Sequence, residues 1–115
     1  VAVNTYAVPK GAVPTESWGY ESAGISGAYL KRHRQRAIEL VRKHFPSAIC
    51  IATGGIDSAE EAWSAFTTGA SAIEGYTPYT FQGFGLILEM IKGLEQKLDQ
   101  EGVDSLQEII GSTAE

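Results

Sequence analysis

The sequence has little of what disulfide-stabilised, membrane-spanning or nucleic-acid-binding proteins depend on. A single cysteine among 115 residues cannot form an internal disulfide. No apolar run approaches the roughly 18 residues of a transmembrane helix. Nine Lys and Arg residues against 14 Asp and Glu give a net charge of −5, which argues against a nucleic-acid partner. The chain also begins at Val1 without Met or a secretory signal pattern, so we interpret it as a processed product or a piece of a longer chain.

What remains is the composition of one soluble globular domain. Hydrophobic residues make up 43% of the chain and charged residues 20%, close to the average for folded proteins. We therefore expect residues 1–115 to form one domain with no second domain. A complete (β/α)8 barrel needs roughly 200 residues or more, so the chain is too short to be one.

Hydrophobic periodicity predicts an α/β fold in which strands and helices alternate. The predicted strands are 1–3, 48–52 and 72–76. The predicted helices are 29–45, 59–68 behind a Ser58 N-cap, 84–100, and 105–110 capped by Asp104. We interpret 6–27 and 77–83 as loops.

Alternation of this kind is typical of parallel βαβ units with right-handed crossovers. Three parallel strands leave two edges open, and residues such as Ile49 and Ile51 need neighbours to cover them. The chain is therefore either a module that self-associates through its strand edges or a segment of a larger barrel. We prefer the barrel segment.

Ligands of parallel α/β folds gather at the carboxyl ends of strands. Glycines Gly54 and Gly55 follow one predicted strand, and Tyr76 and Thr77 follow the next. Their backbone N–H groups and the Thr77 hydroxyl form a candidate phosphate cradle, in which a side chain at Gly55 is expected to separate donors from phosphate. A plain tight turn and strand-end packing are the alternative interpretations.

Two further segments are candidates for the same site. Ser26 and Gly27 end the long loop and could form a third side of the cradle, or a simple turn. Asn4 and Thr5 follow the first strand and could hydrogen-bond a planar polar ligand, or form a local strand-end turn.

Other reactive residue types are weaker candidates. His33 and His44 lie on one predicted helix without Cys or Asp partners, so a metal site is not expected. Cys50 stands in mid-strand, which indicates a buried, unreactive thiol. The basic run 31–36 is interpreted as a solvated helix face.

Taken together, five motifs resemble the C-terminal third of the dihydroorotate dehydrogenases. The order and spacing agree along nearly the entire chain, and residues 83–111 are most similar to the membrane-associated, quinone-linked class 2. The motifs are Asn4-Thr5, Ser22-Ala23-Gly24-Ile25-Ser26-Gly27, Ile51-Ala52-Thr53-Gly54-Gly55-Ile56, Gly69-Ala70-Ser71-Ala72 and Tyr76-Thr77.

The resemblance implies a flavoprotein oxidoreductase that uses FMN and folds as a TIM (β/α)8 barrel, with this chain as strands six to eight. It implies that Asn4 and Thr5 bind dihydroorotate or orotate. Dihydroorotate oxidation in pyrimidine biosynthesis would pass hydride to FMN and electrons to a quinone, through an N-terminal part of the family that has no counterpart here. The residues implied to hold the FMN phosphate and ribityl chain are Ser26, Gly27, Gly54, Gly55, Gly75, Tyr76 and Thr77.

The resemblance also bears on location and activity. The parent enzyme would be associated with the bacterial inner membrane or the mitochondrial inner membrane, although this segment itself is expected to be soluble. The catalytic base of the family has no counterpart here, so we assign no catalytic residue and expect the isolated chain to be inactive. Val3, Ala23 and Gly75 depart from the family pattern. The alternatives are a non-catalytic half-barrel that binds a phosphate-bearing ligand, and another phosphate-binding barrel enzyme.

Overall fold

A computed structural model describes residues 5–8, 11 and 23–113. The predicted strand 1–3 and Asn4 lie outside the described residues. The strands are β1 (Tyr6–Ala7), β2 (Gly24–Ile25), β3 (Ile51–Thr53) and β4 (Ala72–Glu74). The helices are α1 (Lys31–His44), α2 (Ala59–Thr68), α3 (Thr77–Gln82), α4 (Gly85–Glu101) and α5 (Leu106–Ile109), with a 3-10 turn at Gly27–Leu30 before α1.

The centre of the fold is a βαβ unit made of β3, α2 and β4. The two strands are parallel, with Ile51 opposite Ala72 and Thr53 opposite Glu74. This confirms the predicted parallel pairing of the second and third strands. Their carboxyl ends therefore lie side by side, directly before the Gly54 turn and helix α3.

Strand β3 begins three residues later than predicted. The carbonyls of Pro46 and Ala48 accept hydrogen bonds from the Arg42 guanidinium instead of joining a ladder. The side chain of Ile49 is 83% exposed, in agreement with the expectation that this residue needs neighbours beyond the chain to cover it. Cys50 is buried, as predicted.

The loop predicted at 6–27 contains an antiparallel strand pair at its two ends. Tyr6 lies opposite Ile25 and Ala7 opposite Gly24, and the N–H of Val8 extends the ladder to the carbonyl of Ala23. A two-residue strand is shorter than the alternation that periodicity can detect, so glycine and proline content dominated the prediction.

The loop predicted at 77–83 is mostly helix α3. Pro78 lies in its first turn, where the missing N–H leaves no hydrogen bond unmade. Proline was therefore a helix-start signal here, and the interpretation of this segment as a loop was wrong.

Local capping chemistry sets the bounds of two helices. Ser58 caps α2, and its hydroxyl accepts from the N–H of Glu61 at 3.2 Å, as predicted. Helix α5 begins behind Ser105 rather than Asp104, because the Glu108 carboxylate accepts from the N–H of Ser105. The side chain of Glu61 does not return to its own cap; it pairs with α1 instead.

The core lies between α2, α4 and the β3–β4 pair. Helices α2 and α4 come closest where Gly93 of α4 faces Ala59 of α2. The buried residues of this core cluster are Ile38, Cys50, Ala52, Ile56, Ala62, Ala65, Phe66, Ala70, Leu86, Met90, Leu94 and Ile109.

We expect Gly93→Ala to destabilise the protein although alanine is the better helix former. A methyl group at Gly93 would overlap the Ala59 side chain, and overpacking costs about 1–3 kcal/mol. Gly85→Ala, in the same helix with open space around it, is the matched control and should stabilise by up to about 1 kcal/mol. Thermal unfolding measures both; equal midpoints for the two variants would contradict the close approach.

Candidate functional site

A cavity of about 290 Å³ opens at the carboxyl ends of β3 and β4. It is the position where parallel α/β folds bind ligands. The lining residues are Thr5, Ser26, Thr53, Gly54, Gly55, Gly75, Tyr76, Thr77 and Pro78. Residues from four separate segments of the chain, each of which contributes to the predicted site, thus lie around one space.

The two glycines after β3 adopt backbone conformations that side chains disfavour. Gly54 has φ 98° and Gly55 has φ 69°. A Cβ at Gly54 would lie 3.0 Å from Leu30, and one at Gly55 would lie 2.7 Å from the Lys31 stem and 2.9 Å from the carbonyl oxygen of Gly27. Glycine is therefore required because the turn packs against the start of α1.

This geometry corrects the expectation for Gly55. A side chain there would push against Gly27 and Lys31 rather than stand between the N–H donors and a ligand in the cavity. Substitution of Gly55 would therefore act on the fold of the cradle before it acts on ligand contact.

Ser26 and Thr77 meet at one wall of the cavity, whereas Gly27, the other residue of the predicted third side, is not part of that wall. The hydroxyls of Ser26 and Thr77 lie 2.9 Å apart and share a hydrogen bond. Gly27 does not line the cavity; it is buried under Thr77, whose methyl would lie 3.2 Å from a Cβ at Gly27. Two hydroxyl groups from distant parts of the sequence thus meet at one wall.

Two backbone donors at the site are free to take a ligand. The N–H groups of Gly55 and Tyr76 donate to no other residue in the described part of the chain. Among the lining residues that the structure describes, none carries a formal charge. The cavity wall is therefore built from neutral donors and hydroxyls, without a carboxylate to repel an anion.

A buried arginine supports the glycine turn from behind. Arg34 of α1 is 1% exposed; its Nη1 donates to the carbonyl of Gly54 at 3.0 Å, and its Nη2 to Glu61 Oε2 at 2.6 Å. The interpretation of 31–36 as a solvated face was therefore wrong at Arg34. Periodicity places a charged residue outside by default, and only the partner Glu61 makes burial possible.

Lys31 extends this ion-pair cluster toward the surface. Its Nζ lies 2.9 Å from Asp57 Oδ1 and 3.5 Å from Glu61 Oε1. The hydrogen bond to Asp57 raises the pKa of Lys31 above its ordinary value, against a smaller opposing effect of burial. The two positive charges, on Lys31 and Arg34, are balanced by the two negative charges on Asp57 and Glu61.

Two lining residues were absent from the predicted site. Thr53 is the last residue of β3, and Pro78 begins α3 beside Thr77. Their position at strand and helix ends is the signal that could have identified them. Asn4, the other half of the predicted substrate pair, lies outside the described residues, whereas Thr5 lines the cavity.

Other surface features of the described residues are weaker candidates for a ligand site. A wider cleft of about 630 Å³ follows the exposed side of α1 past Arg32, Arg36 and Glu39, away from the strand ends. His33 stacks on Tyr6 with ring centroids 4.6 Å apart. No group of three or more His, Cys, Asp or Glu residues in the described ranges could hold a metal ion.

The family model for dihydroorotate dehydrogenase matches residues 3–98. The chain belongs to the dihydroorotate dehydrogenase family. It is 36% identical over 92 residues to dihydroorotate dehydrogenase (quinone) of Trichodesmium erythraeum, covering 79% of this chain and 24% of that protein. It is 40% identical over 96 residues to that of Prochlorococcus marinus, covering 80% and 24%.

Solved structures of the family show the same fold. The crystal structure of the Eimeria tenella dihydroorotate dehydrogenase in complex with ferulenol superposes with a TM-score of 0.82 at 27% identity. That match covers 97% of this chain and 30% of the other. The chain spans about a quarter of the length of the curated relatives it matches.

The structure and these structural neighbours confirm the predicted α/β class. Membership of the family confirms the resemblance drawn from the five motifs. Within the described ranges, no helix is long and apolar enough to cross a membrane.

We expect Gly55→Ala to destabilise the protein more than Gly102→Ala. The two glycines have nearly the same positive φ, 69° and 68°, so each substitution costs roughly 1–2 kcal/mol of backbone strain. Only Gly55 adds overlap with Lys31 and Gly27, whereas Gly102 has nothing within 4 Å. Urea unfolding measures the difference; equal losses would show that the turn does not pack against α1.

The raised pKa of Lys31 predicts a pH-dependent stability. The Lys31–Asp57 pair stabilises the fold at pH values below the ordinary pKa of 10.5, and this contribution is lost as pH rises through the raised value. Asp57→Asn should therefore lower the unfolding midpoint at pH 9 and differ less from the unsubstituted protein at pH values above 10.5. A constant difference across this range would contradict the assignment.

Proposed function

We propose that this chain holds the phosphate and ribityl part of FMN in the cavity at the ends of β3 and β4. One observation carries the proposal: the glycine turn, the Tyr76–Thr77 segment and Ser26 line one cavity in a member of the dihydroorotate dehydrogenase family. Family membership makes another phosphate-binding barrel enzyme the weaker alternative.

The donors of the cavity suit a phosphate. Backbone N–H groups of Gly55 and Tyr76 are available, and the Ser26 and Thr77 hydroxyls can each turn a proton toward an oxygen anion. Hydrogen bonds to a charged acceptor are roughly twice as strong as those between neutral groups. A phosphate is therefore the group that gains most from these walls.

The size of the cavity suits one end of the cofactor rather than all of it. About 290 Å³ is near the lower limit of small-molecule sites, which span about 300–1,000 Å³. We assign Ser26, Gly54, Gly55, Gly75, Tyr76 and Thr77 to the phosphate and ribityl chain, and Gly27 to the support of Thr77.

Thr5 is proposed to take part in substrate binding together with Asn4. The exposed Thr5 lines the same cavity, so a ligand hydrogen-bonded to its hydroxyl would lie beside the bound cofactor. FMN, when bound, would supply the acceptor for the hydride of dihydroorotate. The residues of this chain would bind and orient the two molecules, and none is assigned a proton-transfer role.

For the whole protein we propose oxidation of dihydroorotate to orotate in pyrimidine biosynthesis, with a quinone as the electron acceptor. The relatives named dihydroorotate dehydrogenase (quinone) support this proposal. We further propose that residues 1–115 correspond to strands six to eight of the barrel, and that the chain alone binds without catalysing. Membrane association of the parent protein and self-association through strand edges belong to the same proposal.

Titration with FMN, followed by quenching of flavin fluorescence, tests the proposal. Thr77→Val should weaken binding about ten- to a hundredfold, because a hydrogen bond to a charged group contributes about 1.5–3 kcal/mol. Thr80→Val, on the exposed side of α3 and outside the cavity lining, is the matched control and should bind as the unsubstituted protein does.

Two results would refute the assignment. Equal FMN affinity in the Thr77 and Thr80 variants would move the phosphate away from this cavity. Equal affinity of the unsubstituted protein for FMN and for riboflavin, which lacks the phosphate, would show that no phosphate site is present.

A further inference from the structure

We propose that Arg34 is a positioning residue that fixes the Gly54–Gly55 peptide in the orientation that binds an anion. The inference rests on the proposed function, since the anion is the phosphate of FMN. It concerns a side chain that does not line the cavity and reaches the ligand only through the backbone.

One peptide unit links Arg34 to the cavity. The carbonyl of Gly54 and the N–H of Gly55 belong to the same planar group, and no peptide bond of the described chain is cis. In a trans peptide these two bonds point in opposite directions. Arg34 Nη1 holds the carbonyl oxygen at 3.0 Å on the buried side, so the N–H of Gly55 is directed to the other side, where the cavity lies.

No other hydrogen bond among the described residues holds this peptide. Rotation of its plane requires changes in ψ of Gly54 and φ of Gly55, and glycine permits such changes at low cost. A rotated plane would present the Gly54 carbonyl oxygen to the cavity. An oxygen there would repel a phosphate, whereas the N–H attracts it.

Arg34 is itself held firmly in place. Its guanidinium is 1% exposed and bonded at 2.6 Å to Glu61, which is anchored in the first turn of α2. A fork of fixed donors can bind the carboxylate and the carbonyl at once, which a lysine ammonium on a flexible stem does less well. The peptide plane is thereby tied to two helices.

The test compares FMN with riboflavin, because only FMN has the phosphate. The ratio of the two affinities reports the phosphate contact, and general destabilisation of the protein affects both ligands alike. Arg34→Met keeps an unbranched apolar stem in the buried position, as far as the place of Nε, but removes both bonds. We expect the FMN-to-riboflavin ratio to fall at least about tenfold.

Arg34→Lys is a second variant in case the methionine does not fold. A lysine can keep the pair with Glu61 but cannot hold the Gly54 carbonyl as well, so its ratio should also fall while its unfolding midpoint stays closer to that of the unsubstituted protein. Arg42→Met is the matched control. Arg42 also binds backbone carbonyls, at Pro46 and Ala48, but far from the cavity lining, so its ratio should be unchanged.

A measurement on the unsubstituted protein complements the variants. The Gly55 amide proton should shift in the NMR spectrum on addition of FMN and stay in place on addition of riboflavin. If neither FMN nor riboflavin shifted the Gly55 amide proton, the inference would be overturned without any substitution.

The remaining outcomes separate this inference from the proposed function. An unchanged ratio in a folded Arg34 variant would overturn the role of Arg34 and leave the phosphate site intact. An equal fall of the FMN-to-riboflavin affinity ratio in the Arg34 and Arg42 variants would also overturn the role of Arg34. The fall would then reflect a general loss of protein stability. No preference for FMN in the unsubstituted protein would overturn the phosphate site and this inference together.

Discussion

The buried pair of Arg34 and Glu61 is the interaction on which the arrangement of the site depends. It joins the second turn of α1 to the first turn of α2, and through Nη1 it also holds the Gly54 turn between them. Replacing a buried ion pair by apolar groups is often neutral or stabilising, so the pair is weak support for stability alone. The Nε of Arg34 is buried without a partner among the described residues, which adds a desolvation cost. What the pair specifies is the position of the Gly54 backbone, whose carbonyl Nη1 of Arg34 holds.

Close backbone approach is the second constraint. The Gly54 turn packs against the 3-10 turn before α1, and Gly93 lets α4 approach α2 at Ala59. In both places the neighbouring group occupies the space of a Cβ. The glycines of the cradle are therefore required first by packing. The exposure of the Gly55 N–H group to the cavity follows from that packing.

Local signals explain which parts of this structure the sequence could predict. The Ser58 cap needs only residues within one turn, and the parallel pairing of β3 and β4 follows from strand–helix alternation. The residues of the cavity could be predicted because strand ends in parallel folds share one edge of the sheet. The start of β3 could not, because it is set by Arg42, whose hydrogen bonds to Pro46 and Ala48 become visible only in three dimensions. Burial of Arg34 was missed for the same reason, since its partner is 27 residues away.

Arg34 and Arg42 of α1 contact opposite ends of the β3–β4 strand pair. Arg42 lies near the end of the helix and binds the carbonyls of Pro46 and Ala48 before β3, together with Gly69 and Ser71 before β4. Arg34 lies eight residues earlier, about 12 Å along the helix axis, and holds the turn after β3. In parallel α/β barrels the amino ends of strands serve stability and the carboxyl ends serve chemistry. One helix therefore fixes both ends of β3 with the same kind of contact, an arginine on a main-chain carbonyl. At the carboxyl end of β3, the side of the Gly54–Gly55 peptide opposite Arg34 faces a cavity. The arginine–carbonyl contact therefore bears on ligand binding at Arg34, whereas at Arg42 it bears on the position of the strand.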